Sequence, residues 1–131
     1  MNNIERLEGL DKHLYELVAP LVMNPKVLKQ NRNYPFRTAE NFLWFVATQD
    51  EDVIGFLPVE IRHGQAIINN YYTKDENQDV LSELLSNAIH ELEKKYLLIS
   101  IAQNQHLETF SKQGFATERK WKNYVRMKKS E

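Results

Sequence analysis

The sequence predicts one soluble α/β domain with a strand–helix–strand–helix core from Tyr71 to Gly114, on three observations. Leu81, Leu84, Leu85, Ala88, Ile89 and Leu92 fall at i, i+3, i+4, i+7, i+8 and i+11, the repeat of an amphipathic helix. Tyr96 to Ala102 (YLLISIA) then runs almost continuously apolar, which suits a central strand covered on both faces. Leu43 to Thr48 (LWFVAT) and Val53 to Arg62 (VIGFLPVEIR) flank Gln49-Asp50-Glu51-Asp52, the pattern of two strands joined by an acidic hairpin turn.

The other elements follow in order. Asn3 to Leu7 is a short strand, and Leu10, Leu14, Leu17, Val18 and Leu21 mark a helix ending near Met23. Asn24-Pro25 reads as a cap followed by a first-turn proline, opening a shorter helix through Val27 and Leu28. Asn31 to Phe36 is loop, and Thr38 to Asn41 is expected to form one helical turn. Pro58 removes one ladder donor, so a bulge or an unpaired edge is expected there. His63-Gly64 makes a turn, and Ala66 to Thr73 (AIINNYYT) is read as one strand. Gln105 to Gln113 is a short helix closed by Gly114 in the left-handed conformation; Phe115 to Trp121 and Asn123 to Lys128 alternate as two last strands.

Composition narrows the function classes. At 131 residues the chain fits one core, which buries roughly two-thirds of the unfolded surface at this size. With no cysteine there is no disulfide framework and no thiolate nucleophile or ligand, and a reducing cytoplasm is the expected compartment. Met1 to Leu10 carries charge without an apolar run, so neither a targeting segment nor a membrane span is expected. The four histidines lack metal-ligand spacing, and no metal is expected. Charge is uneven: residues 119 to 131 hold six bases and one acid, while the rest holds 11 bases and 17 acids. Six bases release few counterions beside an acidic body, so the basic end reads as solvated strands and no nucleic acid is expected as partner.

The order of elements resembles the GNAT family of acetyl-coenzyme A dependent N-acetyltransferases over nearly the whole chain. The residues that carry the resemblance are FVATQDEDVIGF (Phe45 to Phe56), the strand running into a helix from Ala66 to Leu92, ETFSKQGF (Glu108 to Phe115) and KNYVRMKK ending at Lys129. It implies an α+β fold, layered α/β/α, with a mostly antiparallel mixed sheet and helices on both faces. It also implies acetyl-CoA as co-substrate and a small-molecule or peptide amine as acceptor, and it makes a homodimer through the C-terminal strands, with Trp121 and Tyr124, plausible by analogy.

The implied coenzyme-binding residues are Tyr71, Tyr72 and Thr73, on the strand whose exposed amides pair with the pantetheine arm; Gln78, Asp79, Val80 and Leu81, at the phosphate loop; and Asn104 and Phe110 beyond the central strand. The family's loop has Gln or Arg, two residues, Gly, one residue, then Gly or Ala, and its amides hold the pyrophosphate at a helix N-terminus. Here Glu76, Asp79 and Leu81 stand at those three positions. Asp79 is read as the N-cap of the helix, where its carboxylate would face a phosphate at roughly 5 Å at a cost of about 3 kcal/mol with an effective dielectric near 20. The family's thiolate-protonating tyrosine falls on Phe110, which has no proton to give. Glu60 and His63 are the titratable groups near the family's amine-side carboxylate, but His63 sits in a turn, and no catalytic residue is assigned. Tyr34, Pro35 and Phe36 are open to two readings, an acceptor pocket or a surface loop with a tucked aromatic. Two functions therefore stand: an N-acetyltransferase with a degenerate phosphate loop, and a catalytically inactive module of the same fold that binds a ligand or a protein.

Overall fold

Alternating side chains on the strands sort the apolar residues onto two faces, and each face is covered by helices. The computed structural model describes residues 2–129. Its strands are β1 (Asn3–Glu8), β2 (Phe42–Gln49), β3 (Asp52–Arg62), β4 (Gln65–Ile68), β5 (Tyr72–Thr73), β6 (Leu97–Gln103), β7 (Phe115–Lys120) and β8 (Tyr124–Lys129). The helices are α1 (Lys12–Val22), α2 (Pro25–Gln30), α3 (Gln78–Leu92) and α4 (Leu107–Lys112). One sheet runs β1-β2-β3-β4-β6-β8-β7, with β5 pairing only β3. The β4–β6 pair is parallel and the other pairs are antiparallel, so the sheet is mixed and mostly antiparallel.

Phe45, Ala47, Leu57, Ile68 and Leu98 pack on one face with Leu81, Leu84, Leu85 and Ala88 of α3 and Phe110 of α4. Trp44, Val46 and Phe56 pack on the other face with Leu14 and Val18 of α1 and Val27 of α2. The predicted helix caps hold for α2: Asn24 Oδ1 accepts the Lys26 N–H and Pro25 occupies the first turn. Gly114 has φ of +97°, the left-handed close expected after α4. The two-residue hairpin loops Asp50-Glu51 and His63-Gly64 have positive φ throughout, which matches the twist of the strands they join. No described helix is long and apolar enough to cross a membrane.

Two local expectations are corrected. Thr38 to Asn41 is not a helical turn: the Thr38 hydroxyl donates to the Gly9 carbonyl at 2.8 Å and accepts the Trp44 indole N–H at 3.0 Å, pinning the segment against β1 and β2. Ala66 to Thr73 is not one strand. Ile68 lies opposite Val59 and Tyr72 opposite Phe56, so Asn69, Asn70 and Tyr71 face only Leu57 and Pro58, and the extra residue makes a bulge with Asn70 at φ of +58°. The irregularity expected from Pro58 is this one. Ile61 donates its N–H to Asn41 toward β2, so by alternation the donor missing at Pro58 points to the opposite side, into the bulge.

Candidate functional site

The bulge decides where the site forms. Without it, alternation would put residue 72 on the same face as Ala66 and Ile68; with it, Tyr71 joins the α3–α4 core and Tyr72 turns to the opposite face against Phe56, with ring centroids 5.2 Å apart. The same kink separates β5 from β6. Pairing of β4 with β6 ends at Ile68 opposite Ser100, while Ile101, Ala102 and Gln103 continue beside β8 alone. A notch opens between Thr73 on one side and Gln103 on the other.

Side chains meet the backbone groups that the notch exposes. From the end of α2, Gln30 Nε2 donates to the Thr73 carbonyl at 2.9 Å, and the Thr73 N–H donates to Gln30 Oε1 at 3.2 Å. On the opposite wall the Gln103 N–H donates to the Tyr71 hydroxyl at 3.0 Å. Gln103 Nε2 donates to the Gln30 carbonyl at 3.1 Å, which ties α2 to β6 across the gap. The Tyr71 hydroxyl also lies 2.7 Å from His106 Nδ1, and His106 Nε2 lies 3.3 Å from Glu76 Oε1. Burial raises the Tyr71 pKa far above the ordinary tyrosine value, so the phenol keeps its proton. Burial lowers the His106 pKa, offset only in part by Glu76, so the imidazole favours its neutral form. The Tyr124 hydroxyl, at the start of β8, is buried with no hydrogen-bond partner, and Arg32 sits over its ring at 5.9 Å.

A cleft of about 630 Å³ opens beside the notch. Lys26, Lys29 and Arg32 line it from α2 and the loop that follows, with Asp75 and Glu76 from the 3-10 turn Lys74–Glu76. Asp75 and Glu76 have φ of +55° and +51°, the left-handed region that glycine enters without strain.

The predicted site residues fall into three groups. Tyr71, Thr73 and Gln78 lie along the notch and its approach; Gln78 Oε1 accepts from the Thr109 hydroxyl at 2.6 Å and links α3 to α4. Tyr72, Val80, Leu81 and Phe110 are buried core, with the Phe110 ring between Tyr71 and Phe115 at 5.6 and 5.5 Å. Asn104 is exposed and holds the β7–β8 turn through the Lys122 carbonyl at 2.8 Å. Asp79 is not the cap of α3. Asn77 is, because its Oδ1 accepts the N–H groups of Asp79 at 2.9 Å and Val80 at 3.3 Å, leaving Asp79 exposed in the first turn. Of the open readings, Phe36 packs edge-on against Phe56 at 5.0 Å while Tyr34 is exposed, and Glu60 is bound by Arg37 at 3.1 Å.

Gln30, Gln103 and His106 escape sequence reasoning. Pairing of histidines with histidines cannot find a ring whose partners are a tyrosine and a glutamate about thirty residues away, and no periodicity marks a glutamine that caps a strand edge.

No family model and no curated protein sequence matches this chain. Solved structures do. An acyl-CoA N-acyltransferase from Pseudomonas aeruginosa superposes with a TM-score of 0.76 at 15% identity, covering 99% of this chain and 100% of its own. The ribosomal-protein-S18-alanine N-acetyltransferase from Escherichia coli gives 0.68 at 17% identity, covering 98% and 90%. The PaiA N-acetyltransferase from Thermoplasma acidophilum, solved in complex with coenzyme A, gives 0.65 at 16% identity, covering 100% and 99%. With its mixed sheet and the split between β5 and β6, the chain has the fold of the GNAT acyl-CoA N-acyltransferases, in a divergent version.

Proposed function

We propose that this chain is an N-acetyltransferase that moves acetyl from acetyl-CoA to a primary amine, holding the coenzyme's amide arm between β5 and β6 without a glycine phosphate loop. The observation that carries this reading is the pairing of Gln30 with Thr73. One residue on an open strand edge offers an N–H and a C=O to the same side, and a carboxamide already meets both. A single trans amide points its N–H and C=O in opposite directions and cannot replace it; an extended arm with two successive amides, as in pantetheine, can. Across the gap the Tyr71 hydroxyl accepts the Gln103 N–H, so that amide too is already met by a side chain.

The phosphate end fits less well. Asn77 occupies two amides at the N-terminus of α3, and Asp75, Glu76 and Asp79 bring negative charge to it. Lys26, Lys29 and Arg32, across the cleft, are the cations available to a diphosphate. That crowding favours the second reading, a module of the same fold that binds a ligand without acyl transfer.

Isothermal titration with acetyl-CoA, and separately with pantetheine, tests both. Binding of both ligands supports the transferase site. Pantetheine binding with no gain from the nucleotide supports the module, and no binding of either ends the acyl-CoA reading.

A further inference from the structure

Opposite charges line the cleft beside the notch without neutralising each other. Lys26, Lys29 and Arg32 stand on the α2 side, and Asp75 and Glu76 on the turn after β5. Among the described residues none of the three cations forms an ion pair, and neither does Asp75. Glu76 meets His106 Nε2 at 3.3 Å and Gln105 Nε2 at 3.5 Å. A cleft with walls of fixed charge focuses the field on whatever enters it.

Local structure sets the cationic wall. Arg32 and Asn33 follow α2 with φ of +54° and +63°, a region that residues other than glycine seldom enter. Buried Asn31 holds this turn: its Nδ2 donates to the Tyr34 carbonyl at 3.1 Å, and the Asn33 N–H donates to the Leu28 carbonyl at 2.7 Å. The turn sets the Arg32 guanidinium over the Tyr124 ring at 5.9 Å, which orients it without spending its charge on a carboxylate. Asp75 and Glu76, also at positive φ, are fixed on the facing wall by the same kind of backbone.

We propose that the cleft takes the acceptor as a zwitterion, an amine that carries a carboxylate on the same molecule. The carboxylate end meets Lys26, Lys29 and Arg32, and the amine end meets Asp75 and Glu76. The inference rests on the acyl-transfer reading above and names the acceptor class for it. Asp75 and Glu76 follow Thr73 closely in the chain and Gln103 lines the same cleft, so the amine end lies beside the notch. Charge decides between this ligand and the coenzyme's diphosphate, the other anion these cations could meet. A diphosphate brings its negative charge into the same cleft as Asp75 and Glu76, whereas a zwitterion finds an opposite charge on both walls. A simple alkylamine leaves the cations unmet and a simple carboxylate leaves the acids unmet, so both ends select.

NMR titration of the whole chain tests the assignment without turnover. At least one of 4-aminobutyrate and 6-aminohexanoate should bind about tenfold more tightly than propylamine, pentylamine, butyrate and hexanoate, the scale of one charge-assisted contact. Arg32→Asn and Asp75→Asn place asparagine, which tolerates the left-handed backbone, at these two exposed positions, so the fold is kept. Each should weaken zwitterion binding about tenfold, and Arg32→Lys, which keeps the charge, should lose less than Arg32→Asn. Equal affinity for the zwitterions and for their amine and acid counterparts overturns the proposal, as does wild-type binding in both asparagine variants. An Arg32→Asn chain that loses affinity for acetyl-CoA and keeps it for pantetheine puts the cations on the diphosphate and overturns it too. Acetyl-CoA binding with no advantage for a zwitterion overturns the acceptor class alone. No acetyl-CoA binding ends the acyl-transfer reading, and the ligand's role as acceptor with it.

Discussion

Gln30 is bound to Thr73 as a strand neighbour would be: its carboxamide accepts the Thr73 N–H at 3.2 Å and donates to the Thr73 carbonyl at 2.9 Å. An amide ligand entering the notch must displace it. Gln30→Ala should therefore lower stability by about 1–2 kcal/mol, two partly buried hydrogen bonds at roughly 0.5–1.5 kcal/mol each. The same variant should bind pantetheine about tenfold more tightly, since the competitor is gone. Denaturant titration and calorimetry on one preparation read both effects, and weaker pantetheine binding would show that Gln30 is part of the ligand site instead.

At the phosphate end the charge and the cap separate. Asp79→Asn removes an exposed negative charge from the first turn of α3 but leaves the Asn77 cap in place. It should improve binding of acetyl-CoA severalfold and leave pantetheine unaffected, because only the former carries phosphates. Asn77→Ala frees the Asp79 and Val80 amides and should cost about 1 kcal/mol of stability as a lost cap. Parallel titrations of the two ligands against both variants check this.

Gly55 lets β5 and α3 close on β3. A Cβ there would lie 2.9 Å from the Tyr72 carbonyl oxygen and 3.0 Å from Val80 Cγ1, and it is the backbone that would have to move. Gly55→Ala should destabilise by about 1–3 kcal/mol as an overpacked site. It should also disturb Thr73, which lies opposite Gly55 in the β3–β5 pair. Amide exchange at Thr73 of β5 rising more than exchange in β3 would show the coupling.

The layout of the fold is legible in the sequence wherever one period runs long enough. The spacing of Leu81 to Leu92 finds α3, and the apolar run through Leu98 and Ile99 finds the central strand. The site is less legible because it depends on an interruption of period. One added residue at Asn69–Tyr71 turns Tyr71 toward His106 and ends the β4–β6 pairing, and alternation in AIINNYYT does not reveal which residue is extra. Pro58 carries the one local hint, a missing donor, but the bulge it faces is on the neighbouring strand. Asn77 and Asp79 are both good caps, and only the loop geometry chooses between them.

Acid should weaken the fold through His106. Its pKa is lowered in the folded chain, chiefly by burial, so below the ordinary value of 6.5 the unfolded chain binds the proton more readily. Stability is then fully present above about pH 6.5 and falls as pH drops from there through the folded value. Protonation at Nδ1 also sets two donors against each other, since the Tyr71 oxygen already accepts the Gln103 N–H and leaves its own proton for Nδ1. His106→Gln, which has no titrating group, should remove this part of the acid sensitivity, while Tyr71→Phe should reduce it by relieving the donor conflict. Thermal unfolding of the three proteins across mildly acidic and neutral pH measures the difference. A wild-type curve parallel to that of His106→Gln would mean that the buried ring takes up its proton without cost, and that the Tyr71 hydroxyl does not donate to Nδ1.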